Sequence, residues 1–349
     1  MPNSSPKPFK YAVGIDVAKD QFVVRFGTLD ADLRTWFSEN AKFDNTPAGF
    51  VSFLSWVKKK QVTDAPVQFV LEATGVYYEE LTYFLTDQHY QVSVLLAYKV
   101  KHFAQSTEKK SKTDPEDAEL LSRMGLERNL PVWTAATVTM RAMRGLYREL
   151  DALKQDSTRL QNRLHAYEHS YKPNLCTITR LKEQLQFLDQ HILAINQELT
   201  QLVAGDGELK AKMDLLTSIP GVGLATAVAV VSETNGFALI ENERQLASYS
   251  GLDVVQRKSG KMAKPTSISK RGNPRLRKAL YMPALTSKRW NPQLKAFFEG
   301  LKARKLNGKM PLIAVMRKLL LLCYALWKKN QPFDLAYQQG KTVMITRPS

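Results

Sequence analysis

The sequence predicts a mixed α/β N-terminal domain, a middle of two long helices and a mainly helical, basic C-terminal domain. Three observations predict it. Short apolar runs alternate with helical patterns from Tyr11 to about Glu127. A leucine-rich 3-4 spacing then runs from Met143 to Leu202. Beyond it, sixteen Lys or Arg stand between Gly251 and Met310 against only Asp253 and Glu299. The expected division is a disordered polar extension over 1–10, an α/β domain over 11–136, a helical hairpin over 137–206, a helical domain over 207–335 and a tail over 336–349.

In the first region, Tyr11–Asp16 is a short apolar run that ends in an acid. Gln21–Phe26 is rich in β-branched and aromatic residues, and Thr35–Ser38 reads as a third strand. A helical pattern over Pro47–Lys59 precedes Val67–Glu72, again an apolar run ending in an acid, and Gln91–Leu96 is a further strand. A meander of three strands followed by strands alternating with helices describes a mixed sheet of the RNase H kind.

The middle region places Met143, Leu146, Leu150, Leu153, Ser157, Leu160, Leu164 and Tyr167 on one stripe, with a single polar slot. After Lys172-Pro173-Asn174, Ile178, Leu181, Leu185, Leu188, Ile192, Ile195, Leu199 and Leu202 form another. This alternation over several heptads is a coiled-coil pattern, and the helices can pair with each other or with a second subunit. In the third region, Leu215 to Glu233 reads as two apolar helices around Pro220-Gly221-Val222-Gly223, a helix-hairpin-helix-like element.

A formal charge of +17 favours polyanions, with nucleic acid the usual partner. A membrane is not expected: Pro311–Trp327 is interrupted by Arg317 and Lys318 and reads as a buried helix. Met1–Lys10 lacks the apolar stretch of a signal peptide. Cys176 and Cys323 stand far apart without metal-ligand spacing, which fits a reducing cytoplasm and argues against a zinc cluster.

The candidate chemistry begins with acids. Asp16 and Glu72 close strand-like runs, and Asp114 and Asp117 flank Pro115 at an expected helix start. Several carboxylates can hold paired divalent ions for phosphodiester cleavage, and hard oxygen donors select Mg²⁺ or Mn²⁺. The same acids also suit capping of turns and helices. Gly221 and Gly223 let backbone N–H groups approach a phosphate, although a tight interhelical turn has the same composition.

Ser259 sits beside Gly260 among Arg257, Lys258 and Lys261, cations able to neutralise a phosphoryl transition state. No histidine pairs with it in the pattern, so the sequence names no general base. Lys270, Arg271, Arg275, Arg277 and Lys278 lie in a basic segment without acids and are expected to grip a nucleic-acid backbone.

These blocks resemble transposases of the insertion-sequence-110 family. Gly14-Ile15-Asp16, Leu71-Glu72-Ala73-Thr74-Gly75 and Lys112-Thr113-Asp114-Pro115-Glu116-Asp117 are similar to the blocks of its RuvC-like DEDD domain. Ser218–Gly223, Ala247–Leu252, Ser259-Gly260 and Ser269–Pro283 are similar to its C-terminal transposase domain. The ordered resemblance runs from about residue 11 to about residue 335.

The resemblance implies a recombinase that cuts and exchanges the strands of a mobile element. Asp16, Glu72, Asp114 and Asp117 would hold Mg²⁺, and Ser259 would form a covalent link to a DNA 5′ phosphate. It further implies a structured bridge RNA that pairs with donor and target DNA. A homo-oligomer of two to four subunits would be joined through the helical middle, with one subunit's RuvC-like domain and another's serine domain building the site. Such an enzyme would work in the bacterial cytoplasm, at the nucleoid. Lys261–Ile268 departs from the glycine- and arginine-containing stretch expected after the serine. Two other readings are a metal-only nuclease of the Holliday-junction type, with Ser259 inert, and a non-catalytic nucleic-acid-binding scaffold.

Overall fold

The computed structural model describes residues 8–73, 75–107, 114–238, 240–255, 267–304 and 309–334, and the backbone of 258–259 and 262–263. They form two compact units, 1–135 and 136–349.

The first unit is built on a mixed sheet. Strands β1 (Pro8–Val17), β2 (Gln21–Asp30), β3 (Thr35–Phe37) and β4 (Ala41–Asp44) precede helix α1 (Pro47–Lys60). Then follow β5 (Val67–Glu72), α2 (Glu79–Asp87), β6 (Gln91–Leu95), α3 (Ala97–Ser106) and α4 (Asp114–Glu127). The sheet order is β3-β2-β1-β5-β6, with β4 also on β2. β1 is antiparallel to β2 and parallel to β5, and β5 is parallel to β6.

The expected strands are present, and β4 is an addition. It is four residues long and turns only Ala41 and Phe43 toward the core, too weak a pattern to stand out. Thr46 ends the meander by accepting a bond from the Gly49 amide, which with Pro47 starts α1.

Because side chains alternate along a strand, the sheet has two distinct faces. Tyr11, Val13, Ile15, Phe69 and Leu71 pack with Phe50, Phe53, Leu81 and Leu85 of α1 and α2. Val70 of the opposite face packs with Leu120, Leu121 and Met124 of α4.

The second unit is helical. Its helices are α5 (Val138–Glu168), α6 (Leu175–Ala204), α7 (Gly207–Thr217), α8 (Leu224–Glu233) and α9 (Glu243–Ser250), then α10 (Pro274–Trp290), α11 (Pro292–Ala303) and α12 (Lys309–Lys329). Between α9 and α10 lie four two-residue strands, β7 (Val254–Val255), β8 (Lys258–Ser259), β9 (Met262–Ala263) and β10 (Ser267–Ile268). Side-chain oxygens of Thr137, Asn174, Asp206, Asn242, Asn273 and Asn291 cap the starts of α5, α6, α7, α9, α10 and α11.

The expected hairpin pairs with itself: α5 packs on α6. Its base is also part of the larger core. Met143, Leu150, Ile195 and Leu199 share one cluster with α8, α10 and α12. Leu181, near the tip, is still buried, while Phe187 and Leu193 of α6 are exposed.

α12 is long and apolar enough to cross a membrane by composition, yet half of its most apolar stretch is buried in the protein. Val315, Leu319, Leu320 and Cys323 are fully enclosed, as expected of a core helix. Leu320→Ala is expected to cost about 2–5 kcal/mol, read as a lower urea midpoint at unchanged m-value.

Candidate active site

Backbone register brings two acids of the first unit to the same end of the sheet. Ile15 of β1 is level with Leu71 of the neighbouring parallel strand β5, so Asp16 and Glu72 leave adjacent strand ends side by side. Both share the parity of Gly14 and Val70, so both belong to the face covered by α4.

α4 runs back along β1. The Ser122 hydroxyl donates to the carbonyl of Ala12 at 2.9 Å. Two residues further along the strand, a Cβ on Gly14 would strike the Ala118 carbonyl oxygen and the Ser122 amide. Two strand residues and one helical turn advance by similar lengths, so the next step sets Asp114 level with Asp16. Asp114, Glu116 and Asp117 occupy the first turn of α4, where the helix dipole favours negative charge.

Asp16 and Glu72 thus end neighbouring strands on the face that α4 covers, and Asp114 and Asp117 stand in the first turn of that helix, at the same edge. Among the described residues, no three His, Cys, Asp or Glu side chains are gathered closely enough to hold an ion. The donor chemistry still fits a hard divalent cation, because every candidate ligand is a carboxylate.

A cation that the sequence pattern did not single out borders this edge. Arg25 of β2 lies directly across from Gly14 and pairs with Glu119 of α4 at 3.1 Å. It also donates to Asn40 at 3.2 Å. The pair joins strand to helix one turn after the acids.

Ser259 belongs to the second unit. β7 pairs with β10 and β8 with β9, each antiparallel, and these two short pairs make up the ribbon that carries Ser259. Ser259 stands in β8, opposite Met262 of β9. The side chains of Lys258 and Ser259, and all of Arg257 and Lys261, lie outside the described residues.

The comparisons with known proteins follow the same two halves. A family model for transposases of the DEDD, IS110 type matches residues 13–173. A second, described as the transposase IS116/IS110/IS902 family, matches residues 213–299. The chain belongs to the IS110 family of transposases.

Its relatives include the pilin gene-inverting proteins of Moraxella lacunata and Moraxella bovis. Each is 29% identical over 330 residues, covering 93% of this chain and 98% of the relative. A transposase for insertion sequence element IS1328 from Yersinia enterocolitica is 27% identical over 245 residues, 63% of this chain and 70% of that protein.

Within this family member, the cations expected on nucleic acid divide. Lys270, Arg271, Arg275 and Lys278 are placed around the start of α10, and Lys278 pairs with Asp151 at 2.5 Å. Arg277 departs from expectation. Its guanidinium turns inward and donates to the carbonyls of Ser250, Gly272 and Asn273 at 2.7, 3.2 and 3.4 Å. It therefore holds the end of α9 to the start of α10.

The two glycines of the helix-hairpin-helix-like turn also differ from each other. Gly221 has φ +99°, and a Cβ on it would strike Ser287 of α10, so packing accounts for it. Gly223 begins α8 with open space beside it and remains suited to a phosphate. Both cysteines are free, and burial pushes the Cys323 thiol up to about 12, which makes it inert.

The sequence pattern also missed Glu233, a lone acid closing an apolar helix. It is 3% exposed. Arg148 of α5 donates to both of its oxygens at 2.8 and 3.0 Å, and Asn273 Nδ2 donates at 2.7 Å. The Tyr249 hydroxyl donates to its backbone carbonyl at 2.7 Å, and Arg144 donates to the carbonyl of Ser232 at 2.9 Å. Burial alone would raise the carboxyl pKa, but the bonds from Arg148 and Asn273 outweigh it and hold the group below its ordinary 4.5.

A depressed folded value gives stability that is present above the unfolded value and lost as pH falls through the folded one. The second unit is therefore expected to weaken as pH drops below about 4.5, and Glu233→Gln should flatten that part of the urea-midpoint profile.

Proposed function

We propose that this chain is a DNA recombinase that breaks and rejoins the strands of a mobile element. The observation that carries the reading is the placing of Asp16 and Glu72 at neighbouring strand ends under α4, whose first turn holds Asp114 and Asp117, in a chain of this family. Similarity to proteins named for inverting a gene and for transposing an element supports the same chemistry, because both rearrangements require strand exchange.

We read the first unit as RNase H-like, in keeping with its antiparallel meander and two parallel strands. The four acids would hold Mg²⁺ or Mn²⁺, which when bound supplies charge neutralisation at a phosphate. The Ser259 hydroxyl would attack phosphorus and surrender its proton to a base. The new Oγ–P bond leaves a 5′-phosphoserine, and the broken P–O3′ bond frees a 3′-hydroxyl. Lys270, Arg271 and Arg275 would hold backbone phosphates without reading sequence.

Specificity would then lie in a bridge RNA paired with donor and target DNA. The α5–α6 hairpin would join subunits as a coiled coil in an assembly of up to four, working at the bacterial nucleoid. The test is a denaturing gel of the protein with labelled donor DNA, flanking RNA and Mg²⁺. A protein–DNA adduct is expected in wild type and absent in Ser259→Ala. Equal cleavage by both proteins without an adduct would leave a metal-dependent nuclease and sink the serine step.

A further inference from the structure

The ribbon that carries Ser259 has a base tied to the rest of the second unit. At β10 and beyond, Ser269 N–H donates to the Asp253 carbonyl at 2.9 Å, and its hydroxyl bonds the Asp253 carboxylate. Lys270 N–H donates to the Gly251 carbonyl at 3.1 Å, and Asn273 N–H to the Tyr249 carbonyl at 2.8 Å. The ribbon thus rises from a joint between the end of α9 and the start of α10.

Glu233 grips this joint from beneath. Asn273 uses its two side-chain ends in opposite directions. Its Oδ1 accepts from the amides of Arg275 and Leu276, which starts α10, while its Nδ2 donates to Glu233. Tyr249, at the end of α9, donates to the Glu233 carbonyl. The other side of the carboxylate is clamped by Arg148 of α5. A buried carboxylate with three side-chain donors at its two oxygens has little freedom to move.

Resting on the reading of Ser259 as nucleophile, we propose that Glu233 is a positioning residue for the serine ribbon. It locks the joint at α9 and α10 to the base of the α5–α6 hairpin, so that ribbon and hairpin move as one body. Small errors at the joint are magnified. Ser259 stands four residues beyond Val255, a reach of at most roughly 14 Å. A tilt of about 5° would move the serine by about 1 Å, enough to cost roughly a hundred-fold in rate.

The variants are Glu233→Gln, which removes the charge that Arg148 grips, and Asn273→Ser, which keeps an α10 cap but drops the bond to Glu233. Val230→Ala, a core truncation in the same helix that leaves every Glu233 bond in place, controls for simple loss of stability. Each is made in the full chain. One readout is adduct formation with donor DNA, flanking RNA and Mg²⁺ at saturating and limiting DNA. The other is the nitroxide line shape of a spin label on Ser259→Cys, in a Cys176→Ser background.

Both joint variants are expected to slow adduct formation at saturating DNA by about ten-fold or more, with half-saturation within about two-fold of wild type. Both should sharpen the nitroxide lines, reporting a freer ribbon, while Val230→Ala changes neither. An unchanged line shape in Asn273→Ser, whose α10 cap is kept, overturns the proposal. So does a matching loss in Val230→Ala. If wild type forms no adduct but the lines still sharpen, positioning by Glu233 stands and the nucleophilic role of Ser259 falls.

Discussion

Asp16→Asn is expected to lower DNA strand cleavage by at least about 10²-fold while leaving the fold and nucleic-acid affinity in place. The change is isosteric and removes only the charge. Asp16 sits at the end of β1, where the ladder to Val23 of β2 depends on the main chain. Its half-buried side chain leaves the apolar faces untouched, so stability should shift by less than about 1 kcal/mol. Glu72→Gln should behave alike, because its strand end is adjacent and on the same face. Cleavage rates across a Mg²⁺ titration, beside circular dichroism and a filter-binding curve, make the check. Wild-type cleavage by Asp16→Asn would move the active centre elsewhere, and lost binding with unchanged chemistry would favour a scaffold.

Gly14→Ala should be as damaging without touching an acid. The added methyl has no room, since it would meet the backbone of α4 at Ala118 and Ser122. Backbone cannot step aside as a flexible side chain can, so the helix must lift or slide along β1. A stability loss of about 3 kcal/mol is expected in the first unit, seen as an earlier urea transition. Cleavage should fall with it, because the Asp114–Asp117 turn would lose its level with Asp16. Retained nucleic-acid binding would show that the second unit is intact. A variant of wild-type stability would mean that α4 does not lie as close to β1 as described.

Much of this edge is legible in the amino-acid order alone. Asp16 and Glu72 announce themselves because apolar strand runs stop at them, and Asp114-Pro115 is a strong helix-start signal. Their common face follows from parity, but only once the register of β1 against β5 is known. Other features are not readable in this way. The inward turn of Arg277 depends on which side of α10 meets α9, and five neighbouring cations look alike in sequence. Gly221 and Gly223 read as equivalent until α10 fills the space beside one of them. Glu233 gives no signal because its partners, Arg148 and Asn273, lie 85 and 40 residues away.

The position of α12 in the chain sets a timetable for synthesis. Val315, Leu319, Leu320 and Cys323 complete the same core that α5, α8 and α10 enter from earlier in the chain. On the ribosome, the sheet of the first unit has its own core and can close while the rest is being made. The second unit cannot, because its last wall arrives with residues 309–329. A nascent chain would therefore present its acid edge before it has a firm seat for the serine ribbon. Under the proposed chemistry, an interrupted translation product lacking α12 should yield no covalent product, so only finished chains would cut.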